Sequence, residues 1–503
     1  TAASYQNQQF IDHIKGALIW AGKLAPSMPV WSGPPPKDTD FTSTVRASSI
    51  NQPMELDISS AGDIYIIGRE GQFYAMENGT LIEKSTIPVN AGLEGGLIGF
   101  ALDPDFTSNR YGYFHYTDPN QALHKISRIT INVDNTLNLS SESILLSFPV
   151  QTDECCHVAG SMDFDGEGNL YIAVGDNTNP FESDGYAPID ERSGRSAWDA
   201  QKSSSNTNDL RGKILRITPT EQGYTNSAGN LFQQDELHRG EIYTMGHRNP
   251  FRIAIDPSND QLFWAEIGPD AGGSNPNRGP GGYDELNKTS SAGNFGWPYF
   301  FGENEAYNDY DFSTSVSGPS FDPSNVINDS PNNTGATNLP DVQPAWVTLS
   351  HRALMVAGVY RWDPSVTDEN KLPSYFHGRL IYWNFNNDEM FEAAVDDSSP
   401  ELRRWLDTSV MDGIIDGVIS PHDNHLYLIS FGGNCCGKPN DAGLLVEVEY
   451  TPDENVPIPR SAYAINASGA SFTATDSTLY QSDEFFNGGE TSNSSASIAG
   501  TDD

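Results

Sequence analysis

Residues 154–177 read ECCHVAGSMDFDGEGNLYIAVGDN, and this stretch contains the pattern that decides the fold. A short strand pattern precedes the turn sequence DGEG at 165–168, and residues 169–174 alternate like a second, β-branched strand. The stretch therefore predicts a β-hairpin. His157 precedes the hairpin and Asp176 follows it, so both can lie on one face of the sheet, where an aspartate orients an imidazole for proton abstraction. The alternative is that both residues lie on ordinary loops.

The same order of strand, turn and strand recurs along the chain. The copies lie at residues 54–68, 96–116, 160–175, 251–268, 353–385 and 415–430, and further strand patterns such as 213–218 and 444–450 lie between them. Spaced repetition of this kind predicts radial stacking of small sheets. We expect an all-β fold, a six-bladed β-propeller of four-stranded blades over residues 48–450. Loops from every blade would then meet at the hub, where ligands bind.

Composition limits the class of partner. The chain has 503 residues and a net charge of −40, from 68 Asp and Glu against 28 Lys and Arg. Such an acidic surface repels nucleic acid and anionic lipid, and it suits cations or neutral partners. No apolar run reaches membrane-spanning length. We interpret the start at Thr1, without a charged and apolar leader, as a mature form whose export signal has been removed.

The two ends of the chain differ from its middle. Residues 8–24 predict an amphipathic helix, which the Pro-rich sequence GPPPK would end, so residues 1–47 are interpreted as a helix and a tether. Residues 451–460 are a Pro-rich linker. Residues 461–503 contain too many aromatic and aliphatic side chains for a disordered tail.

The four cysteines form two adjacent pairs, Cys155 with Cys156 and Cys435 with Cys436. Adjacent cysteines lack the spacing of a zinc site, and three disulfide pairings are open. An even count in an acidic, loop-rich chain favours an oxidising location outside the cell. Five triplets could accept N-linked glycans in a suitable host: those at Asn78, Asn138, Asn287, Asn332 and Asn466.

Two further motifs could support chemistry. In GHRNPFR at 246–252, Arg248 would point a guanidinium toward the hub, suited to a carbonyl or a developing oxyanion; the alternative is pairing with a surface acid. EIGPD at 266–270 and YDELN at 283–287 combine turn carbonyls with carboxylates, which suits Ca²⁺; the alternative is a tight turn with solvated acids.

These residues resemble the quinoprotein glucose/sorbosone dehydrogenase family from about residue 50 to 450. The resemblance lies in ordered motifs: EGGLIGFALDPDF, ECCHVAGS, GNLYIAVGDN, NDLRGKILRI, GHRNPFR, EIGPD, YDELN and AGNFGWPYF. ECCH and SDGYAPIDER are similar to a bacterial extracellular branch. The family implies a six-bladed propeller that oxidises sugars with pyrroloquinoline quinone (PQQ) and Ca²⁺.

The resemblance also implies roles for single residues. His157 would be the base that removes the hydroxyl proton of the sugar, and Asp176 would orient it. Arg248 and Asn249 would hold the reactive side of the quinone, and Glu94 occupies the position of a quinone-contacting glutamine. Backbone oxygens of Gly268 and Pro269, with Asp284 nearby, would hold the calcium ion.

The chain departs from the glucose-oxidising members of the family, in which a lysine of the fifth blade and an Arg-x-Arg before the last blade bind the quinone carboxylates. Residues 382–388 and 411–416 lie at those places, and neither stretch contains Lys or Arg. Candidate replacements are Arg352, Arg379 and Arg403.

The C-terminal stretch 461–503 resembles the start of a malectin-type carbohydrate-binding β-sandwich, through AINASG, YQSDEFFNGG and IAGTDD, and we expect the natural chain to continue. Two functions remain open. The first is an exported sugar or oligosaccharide dehydrogenase that passes electrons to an acceptor such as a cytochrome. The second is an inactive, calcium-stabilised propeller that binds glycans or assembles outside the cell. Both predict a secreted, cell-surface or periplasmic protein with sugar or polysaccharide partners.

Overall fold

The computed structural model describes residues 31, 33–350, 353–433 and 442–452, together with the backbone of three short strands nearer the end of the chain. Pro35–Asp453 forms one compact unit, and Thr1–Pro34 with Glu454–Asp503 forms a second. Several predictions fall outside the described residues: the helix at 8–24, Arg352, Cys435, Cys436, and most of the malectin-like stretch. Within that stretch the strands are β31 (Ile465–Asn466), β32 (Phe472–Thr473) and β33 (Leu479–Ser482).

The unit Pro35–Asp453 consists of small antiparallel sheets that repeat along the chain. It begins with strand β1 (Phe41–Ile50). Blade 1 is β2 (Pro53–Ile58), β3 (Ile64–Gly68), β4 (Gln72–Glu77) and β5 (Thr80–Thr86). Blade 2 is β6 (Leu97–Leu102), β7 (Tyr111–Thr117), β8 (Leu123–Ile131) and β9 (Leu137–Pro149). Blade 3 is β10 (Ala159–Phe164), β11 (Leu170–Val174), β12 (Lys213–Thr220), β13 (Gly223–Asn226) and β14 (Ile242–Met245).

The next blades follow the same plan with one long insertion. Blade 4 starts with β15 (Pro250–Ile255), β16 (Leu262–Glu266) and β17 (Asp284–Thr289). The insertion holds β18 (Gly293–Asn294), β19 (Phe300–Phe301), β20 (Glu305–Ala306), β21 (Asn308–Asp311) and β22 (Val316–Ser320), and β23 (Val347–Leu349) completes the blade. Blade 5 is β24 (Leu354–Tyr360), β25 (Arg379–Asn384), β26 (Glu389–Ala394) and β27 (Arg403–Arg404). Blade 6 contains β28 (Ile414–Ile419), β29 (Leu426–Ser430) and β30 (Gly443–Tyr450).

Strand β1 supplies the fourth strand of blade 6. It pairs antiparallel with β30, from Phe41 opposite Tyr450 to Ile50 opposite Gly443. The innermost strands β2, β6, β10, β15, β24 and β28 are neighbours in a closed ring. The predicted six-bladed propeller and its six hairpins are confirmed. One predicted boundary was wrong: the helix and tether were assigned to residues 1–47, but strand β1 of the propeller already begins at Phe41.

Buried or half-buried carboxylates join the inner strands of adjacent blades. Asp57 on β2 accepts the backbone N–H of Leu102 on β6 at 2.7 Å. Asp163 on β10 accepts that of Ile255 on β15 at 2.7 Å, and Asp416 on β28 accepts that of Leu56 on β2 at 2.9 Å. Inner strands have backbone groups that face the next blade rather than water, so such bonds satisfy them. The last of these bonds spans the closure of the ring.

The hydrophobic cores lie between blades, and the largest cluster includes side chains of blades 1, 2, 5 and 6. Helical segments are short: α1 (Phe106–Asn109) and single 3-10 turns at Asp38–Asp40, Ser196–Trp198, Ala200–Lys202 and Ser374–Phe376. Among the described residues, no helix has the length and apolar character needed to cross a bilayer. Asn287 is only 1% exposed on β17, which excludes it as a glycan acceptor in the folded protein.

Candidate active site

His157 and Asp176 meet at the ends of the β10–β11 hairpin. His157 Nδ1 lies 2.7 Å from Asp176 Oδ1, and both side chains are buried. Asp176 Oδ1 also accepts the backbone N–H of Thr178 at 2.9 Å, and its Oδ2 accepts the indole N–H of Trp297 at 2.8 Å. A carboxylate accepts only, so the shared proton lies on Nδ1 and Nε2 is the nitrogen that can take another proton.

The backbone of His157 is fixed on both sides. Its N–H donates to Glu94 Oε2 at 2.6 Å, and its carbonyl accepts the N–H of Asn177 at 3.0 Å. Its φ of 59° lies in the left-handed region, which costs a residue with a side chain about 1–2 kcal/mol. These contacts offset that cost and aim the ring. Just before it, Cys155 and Cys156 form a disulfide, the vicinal one of the predicted pairings.

Glu266, at the end of β16, organises the GHRNPFR segment. Its Oε1 accepts the backbone N–H groups of Arg248 and Asn249 at 2.7 and 2.6 Å, and its Oε2 lies 3.0 Å from His247 Nδ1. The Arg248 guanidinium donates to the carbonyl of Ile267 at 3.0 Å and to Asp270 at 2.9 Å. Arg248 is 3% exposed, so its direction is set by the fold rather than by solvent.

A cavity of about 250 Å³ brings these groups together. His157, Arg248, Asn249 and Glu94 all line it, so the fold brings residues from three separate sequence motifs together at one cavity. The side-chain oxygen of Asn249 is buried without a hydrogen-bond partner in the protein. A buried amide oxygen normally has a donor, so this atom indicates a ligand group or water in the cavity.

The wall contributed by blades 5 and 6 is apolar. Its described members are Ala353, Met355, Phe385, Ile415 and Phe431. Two of the three candidate replacement cations lie elsewhere: Arg379 and Arg403 both bind the carboxylate of Glu392. Among the described lining residues the cations are Arg248 and Arg69, and they are balanced by Glu94 and Asp270. The formal charges of the described lining side chains therefore sum to zero.

The predicted calcium turn is buried beside this cavity. The N–H of Gly268 donates to Asp284 Oδ1 at 2.9 Å, and residues on both sides of the turn, Ile267 and Asp270, line the cavity. Burial raises the pKa of the adjacent Glu285 to about 8, and the Glu266 carboxylate adds to the effect. A buried acidic environment favours a cation, and the calcium site at Gly268, Pro269 and Asp284 stays a prediction.

Three residues of the site are not indicated by any sequence motif described above. Trp297 lies in the AGNFGWPYF motif, but its bond to Asp176 crosses 121 positions and no local pattern reports it. Arg69 follows β3; its Nη1 holds the carbonyls of residues 91, 93 and 95, and it thereby shapes the loop that carries Glu94. Phe181 lines the cavity and is 74% exposed; its position in the long loop after β11 was the available signal.

The family model for glucose/sorbosone dehydrogenases matches residues 50–359. Quinoprotein glucose dehydrogenase B of Acinetobacter calcoaceticus is 26% identical over 279 residues, which cover 52% of this chain and 53% of the relative. The aldose sugar dehydrogenase YliI of Escherichia coli is 26% identical over 239 residues, which cover 47% of this chain and 55% of the relative. The matched region thus spans about half the length of these curated relatives. The malectin-like stretch lies beyond the match, and nothing supports it.

Solved structures share the fold over a longer range. The apo-form of the aldose sugar dehydrogenase from Escherichia coli matches with a TM-score of 0.56 and 21% identity, covering 82% of this chain and 99% of that chain. The PQQ-bound aldose sugar dehydrogenase from Streptomyces coelicolor matches with a TM-score of 0.55 and 19% identity, covering 83% and 100%. Since the family model covers more than half of its residues, the chain belongs to the glucose/sorbosone dehydrogenase family.

Proposed function

We propose that the protein oxidises an aldose or the reducing end of an oligosaccharide, using PQQ and Ca²⁺, with His157 as the base. The observation that supports this most is the His157–Asp176 pair, with Nδ1 held at 2.7 Å and Nε2 left for a substrate proton at a cavity of about 250 Å³. An alternative in which both residues lie on ordinary loops does not account for the burial of both side chains or for the bond between them.

The cavity fits the ring and the carbonyl edge of a quinone. Phe385 and Phe431 offer aromatic rings and Met355 an apolar side chain, and Asn249, whose buried oxygen has no hydrogen-bond partner, lines the same cavity as Arg248. PQQ would supply a two-electron acceptor for the hydride, and Ca²⁺ at the Gly268–Pro269 turn would polarise it. The carboxylate side fits less well, because the described part of blades 5 and 6 offers no cation to the cavity.

The residues of the chain have separate roles in this proposal. His157 Nε2 takes the proton of the sugar hydroxyl, and the Asp176 carboxylate stabilises the imidazolium that forms. Trp297 and Thr178 hold Asp176 in place. Arg248 presents a fixed positive charge to an oxygen on which negative charge develops. Phe181, exposed where the cavity meets solvent, offers an aromatic surface to a sugar ring.

We further propose that the protein acts outside the cytoplasm and passes electrons to a partner such as a cytochrome. The Cys155–Cys156 disulfide supports an oxidising location.

The direct test is a titration of the purified protein with PQQ in the presence of Ca²⁺, followed by quinone absorbance. Aldoses and short oligosaccharides are then added with a dye as electron acceptor. Saturable quinone binding with sugar-dependent bleaching is the expected result, and His157→Ala should bind the quinone but oxidise no sugar. Sugar oxidation that is unchanged in His157→Ala would refute the role of this residue as the base.

One observation favours the second function, an inactive propeller that binds glycans. It is the apolar wall of blades 5 and 6, where the family resemblance implies cations. This function predicts that micromolar PQQ does not bind, that Ca²⁺ still raises the melting temperature, and that glycans bind without being oxidised.

A further inference from the structure

The Cys155–Cys156 disulfide lies directly beside the proposed base. Cys156 is 8% exposed and lines the large cavity next to His157. Cys155 is more exposed, and both cysteines also line a separate small cleft. A carboxylate oxygen of Glu94 and the two sulfur atoms lie within 4.8 Å of one another. The disulfide therefore lies next to Glu94, the residue that accepts the backbone N–H of His157.

His157 depends on what precedes it. Its left-handed backbone places its N–H against Glu94 and its carbonyl against Asn177. The backbone of His157 also packs against Gly175, the residue after β11. A Cβ atom at Gly175 would lie only 2.2 Å from the carbonyl oxygen of His157. On the preceding side β9 ends at Pro149 and β10 begins only at Ala159, so the residues just ahead of His157 have no sheet pairing to fix them. The disulfide is the covalent constraint on that side.

We infer that the Cys155–Cys156 disulfide is a positioning element for His157. The closed ring restricts the two residues ahead of the base, so that the N–H of His157 meets Glu94 and Nε2 stays at the cavity. This inference rests on the proposed function of His157. Opening the ring returns backbone freedom to both cysteines, and the left-handed residue after them moves toward commoner conformations.

The step that opens the ring is thiol–disulfide exchange with an added dithiol. A thiolate of the dithiol attacks the more exposed sulfur, Cys155, so the bond between the two cysteines breaks and a mixed disulfide forms. The second thiol of the reagent then displaces Cys155 and closes its own disulfide. In total two electrons and two protons pass to the protein, which gains two thiols, and the dithiol is oxidised to a cyclic disulfide.

The test compares the full chain before and after dithiothreitol, with two readouts. The first is the rate of His157 carbethoxylation by diethyl pyrocarbonate, followed by peptide mass spectrometry without any sugar or quinone. The second is kcat and KM for sugar with PQQ and Ca²⁺. Reduction should raise the carbethoxylation rate several-fold, because His157 is only 5% exposed in the closed form. It should lower kcat by about tenfold to hundredfold with KM nearly unchanged, since a displaced base loses its reactive geometry.

The control is Cys155→Ser/Cys156→Ser, which keeps Cys435 and Cys436. It should show the reduced-state values and no response to dithiothreitol, whereas reoxidation of the wild type should restore both readouts. Equal carbethoxylation rates in the two redox states would overturn the inference, as would a full response in the double variant. If that variant does not fold, the reversible response of the wild type decides. If carbethoxylation responds but the oxidised protein oxidises no sugar, the positioning stands and the proposed function fails.

Discussion

Replacing Asp176 with asparagine separates the chemistry of the site from its packing. Asp176 is fully buried; its Oδ1 binds His157 Nδ1 and the N–H of Thr178, and its Oδ2 binds the indole of Trp297. All three partners are donors. An asparagine of the same shape must turn its NH₂ group toward one side, so either the Trp297 indole or the other two donors face a donor instead of an acceptor.

The structure sets two magnitudes for this change. Trp297 is 1% exposed, so its unsatisfied indole N–H costs about 1–3 kcal/mol of unfolding free energy. The kinetic loss is larger, because the variant has no negative charge to stabilise the imidazolium of His157. An oriented acid–base pair typically contributes about 10²–10⁴ in rate, and we expect kcat to fall within that range.

The assay is sugar oxidation with PQQ, Ca²⁺ and a dye, together with urea unfolding. Asp165→Asn is the matched control, since Asp165 lies on the same hairpin and accepts from two backbone N–H groups and one side-chain NH₂. It should lose comparable stability and keep its kcat. If Asp176→Asn retains kcat within about threefold of the control, the orienting role of Asp176 is wrong.

Three further results are expected. Burial lowers the pKa of His115 to about 4, below its ordinary 6.5, so the contribution of this group to stability is complete above pH 6.5 and is lost as the pH falls toward 4. Between pH 7 and 4 the unfolding free energy of the wild type should fall by about 3 kcal/mol more than that of His115→Asn in urea titrations. Parallel curves of unfolding free energy against pH would contradict this. Ca²⁺ added after chelation should raise the melting temperature of the wild type, and Asp284→Asn should lose most of that increase; an equal increase would place the ion elsewhere. Phe181→Ala should raise KM for sugar about threefold to tenfold at constant kcat, whereas Val133→Ala, 93% exposed and outside the cavity, should change neither.

The hairpins could be predicted from the sequence because each buries a β-branched strand such as Leu170–Val174 beside a polar turn. Strand β1 could not, because its sequence FTSTVRASSI is largely polar and its residues are mostly exposed or half-buried. Its partner β30 lies about 400 positions away, as the 409-residue separation of the bonded pair Thr42 and Thr451 shows. The periodicity of a short window of sequence cannot indicate a pairing between strands so far apart.

The active site divides in the same way. His157 and Asp176 could be paired because both flank one hairpin, and the GHRNPFR motif supplied Arg248. The bond from Trp297 and the hold of Arg69 on the Glu94 loop depend on loops of different blades meeting at the hub. Arg379 and Arg403 show the limit of sequence: their positions in the chain allow them to reach the cavity, but both pair with the buried carboxylate of Glu392.

The pairing of β1 with β30 has a consequence for the order of folding. During synthesis β1 is made before the other propeller strands, and it stays unpaired until almost the whole propeller has been made. Closing a loop of about 400 residues rather than about 20 costs about 3 kcal/mol more in chain entropy, so this pairing comes late. An unpaired strand can associate with the strands of other chains. The polar residues of β1 reduce that association until β30 has been made. The polar sequence that prevents β1 from being predicted as a strand thus also suits a strand that pairs last, when the ring closes.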